Sequence, residues 1–99
     1  MKEDLLKIIN TYGVMAQLKY FQSEVFEFNE AIIRHENLPD GILGHTKNEY
    51  KNHIAEEIAD CMVMLEQFKL YYNISSEEVT NIFWSKVNRQ LGRINNENK

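Results

Sequence analysis

The sequence predicts an all-α protein, and three observations carry that reading. Its 99 residues include one Pro and four Gly, so helix breakers are scarce in a chain rich in Glu, Lys, Ile and Leu. Apolar residues recur three and four apart, most clearly at Ile54, Ile58, Cys61, Leu65 and Phe68. Two capping-box patterns, Thr46-Lys47-Asn48-Glu49 and Ser75-Ser76-Glu77-Glu78, mark places where helices should open. The length suits one domain spanning residues 1–99.

The elements follow in order. Residues 2–12 form a short first helix with Leu5, Ile8, Ile9 and Tyr12 on one stripe, and Glu3 and Asp4 in the first turn suit its dipole. Gly13 marks a break. A long second helix runs from Val14 to about His35, and its expected core stripe is Val14, Leu18, Phe21, Val25, Phe28 and Ile32. Beside that stripe lies a ridge of Gln17, Tyr20, Glu24, Glu27 and Ala31, while Met15, Phe26 and Ile33 fall on another side. So wide an apolar circumference in so small a chain points to self-association. Residues 37–45 read as a loop, with Pro39-Asp40-Gly41 as its turn. The Thr46 box opens a third helix ending near Tyr72, with Asn73 as its stop, and the Ser75 box opens a fourth reaching towards Asn95. That fourth helix has apolar Val79, Ile82, Phe83, Val87, Leu91 and Ile94 and a basic ridge of Lys86, Arg89 and Arg93. The tail from Asn95 to Lys99 is polar and expected to fray. The first and fourth helices are expected to pack on a hairpin of the second and third.

A formal net charge of −4 disfavours non-specific binding to nucleic acid or anionic membranes, so a polyphosphate would have to be met through a cation. No apolar run approaches the ~18 residues that would span a bilayer, and no charged-then-apolar leader opens the sequence. The single Cys61 falls on an apolar face and allows no disulfide within the chain. The expectation is a cytoplasmic protein with neither membrane nor nucleic acid as partner.

Chemistry concentrates on two acid pairs, Glu24-x-x-Glu27 in the second helix and Glu57-x-x-Asp60 in the third. Acids three apart share a helix surface. Such pairs usually mark nothing more than a solvated face. Position distinguishes these: at ~100° per residue Glu57 lies amid Ile54, Cys61 and Met64, with Asp60 about 60° away, and Glu24 borders an apolar stripe. Carboxylates among core positions are costly unless paired or metal-bound. Antiparallel helices carrying the pairs would gather Glu24, Glu27, Glu57 and Asp60 around one point. A hard cation that takes oxygen ligands relieves the repulsion, Mg²⁺ first among them. Di-iron bundles use Glu-x-x-His, and none of His35, His45 and His53 has a Glu three residues before it.

Tyr12-Gly13, Gln17, Glu24-x-x-Glu27, a loop, and then Glu56-Glu57-x-x-Asp60 resemble the MazG-like all-α nucleoside triphosphate pyrophosphohydrolases. Lys86-x-x-x-Gln90-x-x-Arg93 is similar to the Lys, Asn and Arg spacing of many members, so the likeness spans about residues 5–94. Two positions depart from the pattern: Ser23 stands where many members have a Glu, and Gln90 where Asn is usual. The resemblance implies a four-helix MazG-like bundle completed by dimerisation, as a homodimer or homotetramer. It also implies Mg²⁺-dependent cleavage between the α- and β-phosphates of a nucleoside triphosphate, with Mn²⁺ as a substitute ion. Glu24, Glu27, Glu57 and Asp60 would hold the metal, and Glu24 or Glu27 would take the proton of the attacking water. Lys86, Arg93 and Gln17 would contact the substrate. Two alternatives accompany this reading. A phosphoribosyl-ATP pyrophosphohydrolase ranks lower, because Val63-Met64 stands where that branch has Tyr-His. The other is a non-catalytic helical dimerisation module.

Overall fold

The computed structural model describes residues 1–97. Among these residues it is all-helical: α1 (Lys2–Tyr12), α2 (Val14–Glu36), α3 (Gly44–Tyr71) and α4 (Ser76–Glu97), with no strand. No helix among them is long and apolar enough to cross a membrane. Gly13 separates α1 from α2 at φ 90° and ψ 150°, a region that only glycine enters freely. α4 reaches Glu97, so the expected fraying at Asn95 is not seen; Asn98 and Lys99 lie outside the described residues.

α2 and α3 form an antiparallel hairpin closed by residues 37–43. Early residues of α2 meet late ones of α3: Gln17 bonds to Gln67, and Phe21 meets the edge of the Phe68 ring at 5.9 Å. α1 packs mainly on α3 and caps the open end of the hairpin with Ile9, which is fully buried.

The seam corrects two expectations. On α2 the inward positions are Gln17, Glu24 and Ala31, with Phe21 and Phe28 half-buried beside them, whereas Leu18, Val25 and Ile32 remain exposed. The 17-21-24-28-31 spacing is a strict heptad alternation, and it matches 54-57-61-64-68 on α3. Packing of α2 on α3 uses this narrower stripe and not the more apolar sector beside it. The Thr46 capping box is also unused. α3 opens three residues earlier, with Gly44 as its first residue and extended Leu43 as N-cap accepting from the Lys47 amide at 3.2 Å, so Thr46 already lies inside the first turn. The Ser75 cap is used: the Glu78 amide donates to Ser75 Oγ at 3.1 Å.

α4 does not pack on the hairpin, contrary to expectation, and shares no extensive interface with any other helix. The junction explains its direction. Asn73 sits at φ 56° just past α3; its amide donates to the Leu70 carbonyl, and the Ile74 amide to that of Lys69 at 2.9 Å. That double bond pattern is a Schellman turn. Lys69 Nζ then donates to both Glu66 Oε1 (2.7 Å) and Ser76 Oγ (2.9 Å), which ties the first residue of α4 to α3. The radius of gyration is accordingly 17.6 Å, against roughly 12.6 Å for a compact chain of this length.

Candidate metal centre

The inward ridge of α2 carries Glu24 to the level of Glu57 on α3, and Asp60 follows one turn later. One carboxylate oxygen from each of Glu24, Glu57 and Asp60 lies within 4.8 Å of the others. Glu24 and Glu57 are each only 5 % exposed, and one oxygen of each (Oε2) is buried without a hydrogen-bond partner. An orphaned buried carboxylate oxygen carries its full desolvation cost. Two of them, side by side and joined by a third acid, make an arrangement that a divalent cation with oxygen ligands satisfies directly. The residues present therefore fit such an ion.

The electrostatics agree. Burial is the main cause lifting the Glu24 carboxyl above its ordinary range; the nearby Tyr20 hydroxyl opposes it, and the charges of Asp60 and Glu27 add to it. Burial also lifts Glu57, reinforced by Glu27 and opposed by His53. Burial and the three surrounding acids push the Cys61 thiol up, which keeps it protonated and unreactive. His53 Nε2 stands 3.7 Å from Glu57 Oε1 and Nδ1 3.9 Å from Glu56 Oε2, on an imidazole that is itself half exposed.

The expected residues separate into three groups. Glu24, Glu57 and Asp60 converge. Glu27 remains exposed outside the three-acid cluster, close enough to raise the carboxyl pKa of both glutamates. It lines a shallow depression of about 330 Å³ with His53, Arg34 and Glu57. On the α1 side, Gln17 and Asp60 line an open groove of about 540 Å³ with Tyr12, Tyr20, Val63 and Gln67. Lys86 and Arg93 are not brought to the acids within one chain, because α4 stands apart.

Sequence reasoning missed Gln67, whose side chain is 1 % exposed. Its Oε1 accepts from Gln17 Nε2 at 2.9 Å, and its own amide approaches Met64 Sδ at 3.8 Å. The available signal was its spacing, three residues after Met64 and seven after Asp60, on the same flank of α3. The chain finds no match among models of known protein families, among curated proteins or among solved structures.

Proposed function

We propose that this protein is a divalent-cation-dependent nucleotide pyrophosphohydrolase of the MazG-like kind, converting a nucleoside triphosphate to a monophosphate and pyrophosphate. The supporting observation is the pair of buried, unpartnered oxygens on Glu24 and Glu57 beside Asp60. These three acids would hold Mg²⁺, or Mn²⁺ in its place. The ion supplies neutralisation of phosphate oxygens and a lowered pKa for water. Hydrolysis of a phosphoanhydride otherwise asks little covalent chemistry of a protein, since positioning and charge stabilisation dominate.

The chain's own groups fill the remaining roles. Glu27 is exposed at the rim of the cluster and is the side chain free to accept the proton of an attacking water, whereas Glu24 is turned inward as a ligand. The groove adjoining Asp60 offers Tyr12 and Tyr20 as apolar walls and the Gln17 amide as a polar contact for the nucleoside. Lys86 and Arg93 can meet substrate phosphates only from the α4 of another copy, consistent with a homo-oligomer working in the cytoplasm.

The test is pyrophosphate release from a panel of ordinary, deoxy and damaged nucleoside triphosphates. Release should require Mg²⁺ and vanish in Glu57→Ala with helicity retained; full activity in EDTA overturns the reading. A non-catalytic dimerising module is the second reading, favoured by the unpartnered apolar face of α4. It predicts no Mg²⁺-dependent rise in melting temperature, where a true site gains stability by linkage.

A further inference from the structure

The groove between α1 and the hairpin has a polar floor in an apolar setting. Three of its lining residues are buried, Gln17 at 8 %, Met64 at 2 % and Gln67 at 1 % exposure, whereas Tyr12 and Tyr20 stand more than half exposed at its mouth. Ile8, Ala16 and Val63 complete the apolar surround. Two carboxamides in such a place are costly unless their polar atoms find partners. Three of the four atoms do: Gln17 Nε2 donates to Gln67 Oε1 at 2.9 Å, and Gln67 Nε2 donates to Met64 Sδ at 3.8 Å. The fourth, Gln17 Oε1, has no donor among the described residues. It is not sealed from solvent as Oε2 of Glu24 and Glu57 is, so it opens into the groove that Gln17 lines.

Met64 decides which end of the Gln17 amide faces a ligand. A thioether sulfur accepts hydrogen bonds and donates none. Reversing both amides together would keep the bond between them but set Gln67 Oε1 against that sulfur, acceptor against acceptor. The nitrogen of Gln67 therefore faces Met64, its oxygen faces Gln17, and Gln17 is left with its oxygen outward. Two bonds in series thus turn a side chain able to donate or accept into one that offers the groove an acceptor.

We propose that the groove selects a nucleotide whose base carries an exocyclic amino group at the tip farthest from the sugar, cytosine or adenine. Gln17 Oε1 is the acceptor, and Gln67 and Met64 are the positioning residues that hold it outward. This rests on the functional reading above for placing a nucleoside in the groove, and adds which bases it takes. The tip is an amino nitrogen, N4 or N6, in cytosine and adenine, and a carbonyl oxygen in uracil, thymine, guanine and hypoxanthine. A base that enters between the two tyrosines meets the floor tip first. An amino tip gives Gln17 Oε1 the hydrogen it lacks, whereas a carbonyl tip opposes two acceptors where water is excluded. The ring N–H of uracil or hypoxanthine lies on the flank of the base, behind the carbonyl, and does not reach the floor while the carbonyl is there. Asp60 lines the same groove, so a base held in it keeps its phosphates near the acids.

The experiment uses the full chain in Mg²⁺. Calorimetry reads the affinities of the α,β-methylene analogues of CTP, UTP, ATP and ITP, which cannot be split between the α- and β-phosphates. Pyrophosphate release from the four natural triphosphates gives kcat and KM alongside. Within each pair, CTP with UTP and ATP with ITP, the amino member should bind about 10-fold tighter or more, the cost of leaving a buried acceptor unmet. The difference should appear in KM rather than in kcat, because the acids that hold the ion are the same for both. A preference in the cytosine pair alone, or the adenine pair alone, supports the proposal and names the base. Met64→Leu is close in volume and removes the sulfur acceptor, so both amide arrangements become accessible and most of the discrimination should disappear with helicity retained. Gln17→Leu, Gln67→Leu makes the floor apolar and should abolish the discrimination. Equal affinity within both pairs, tighter binding of the carbonyl members, or full discrimination in Met64→Leu overturns the proposal. Pyrophosphate release without base preference leaves the catalytic reading standing alone, whereas a chain that neither binds nor cleaves any of the four overturns both.

Discussion

Replacing Glu57 by Gln should stabilise the metal-free protein and abolish its response to Mg²⁺. Glu57 presents a buried oxygen with no partner, and its carboxylate shares a 4.8 Å cluster with Glu24 and Asp60. An amide of the same shape removes one of three like charges and can donate to a neighbouring carboxylate. An unsatisfied buried group costs about 1–3 kcal/mol. The molecule is only 22 Å across its thinnest dimension, so water is never far and the lower end applies. The expected gain is about 1 kcal/mol, or roughly 4–8 °C in melting temperature for a domain of this size. The pH dependence fixes the sign. Burial raises the carboxyl pKa of Glu24 and Glu57 above the ordinary 4.5, so the folded state favours their protonation. Their stabilising contribution is therefore complete below pH 4.5 and is lost as pH rises through the higher native values. Urea melts in EDTA should show wild type losing stability as the pH rises above the ordinary carboxyl range, and Glu57→Gln losing less. Adding Mg²⁺ at pH 7 should stabilise wild type alone. If Glu57→Gln is less stable than wild type in EDTA, or retains the full Mg²⁺ shift, the carboxylate is not a strained ligand and the argument fails.

Three further substitutions probe the scaffold. Gln17→Ala strands the buried amide of Gln67 and should cost about 1–3 kcal/mol by urea unfolding, whereas a double Gln17→Leu, Gln67→Leu variant recovers most of it. Ser75→Ala removes the only side-chain cap of α4 among the described residues and should lower stability by about 1 kcal/mol, accompanied by reduced helicity in circular dichroism. Gly13→Ala forces a Cβ into a backbone region essentially reserved for glycine, at a cost of about 1–3 kcal/mol, although no atom lies within 4 Å of the added methyl. An unchanged melting temperature there would mean that the α1–α2 break relaxes freely.

Much of the architecture was legible because the local signals were strong. The first helix, the Gly13 break, the Asn73 stop and the Ser75 cap each depend on a few adjacent residues, and each lies where those residues say. Glu57 was legible for a related reason: an acid amid Ile54, Cys61 and Met64 has few explanations, and exposed Asp60 was read only through its three-residue offset from it. The facing of α2 was not. Its apolar sector extends well round the helix, so periodicity favoured Leu18, Val25 and Ile32, whereas packing against α3 selected Gln17, Glu24 and Ala31. Polarity measures what could be buried; fit between two helices decides what is. The path of α4 was illegible too, since it depends on turn geometry and on the two hydrogen bonds of Lys69 rather than on the amphipathic pattern of α4 itself.

The bond between Gln17 and Gln67 joins residues 50 positions apart, across the open end of the hairpin. A heptad seam of purely apolar side chains would accept α3 shifted by a turn, because one knob resembles another. Sliding by 5.4 Å along the axis would part these two amides inside a dry interface and leave both unmet. The pair thus acts as a ruler for the hairpin, rejecting misaligned pairings during folding by making them expensive rather than by making the correct one much tighter.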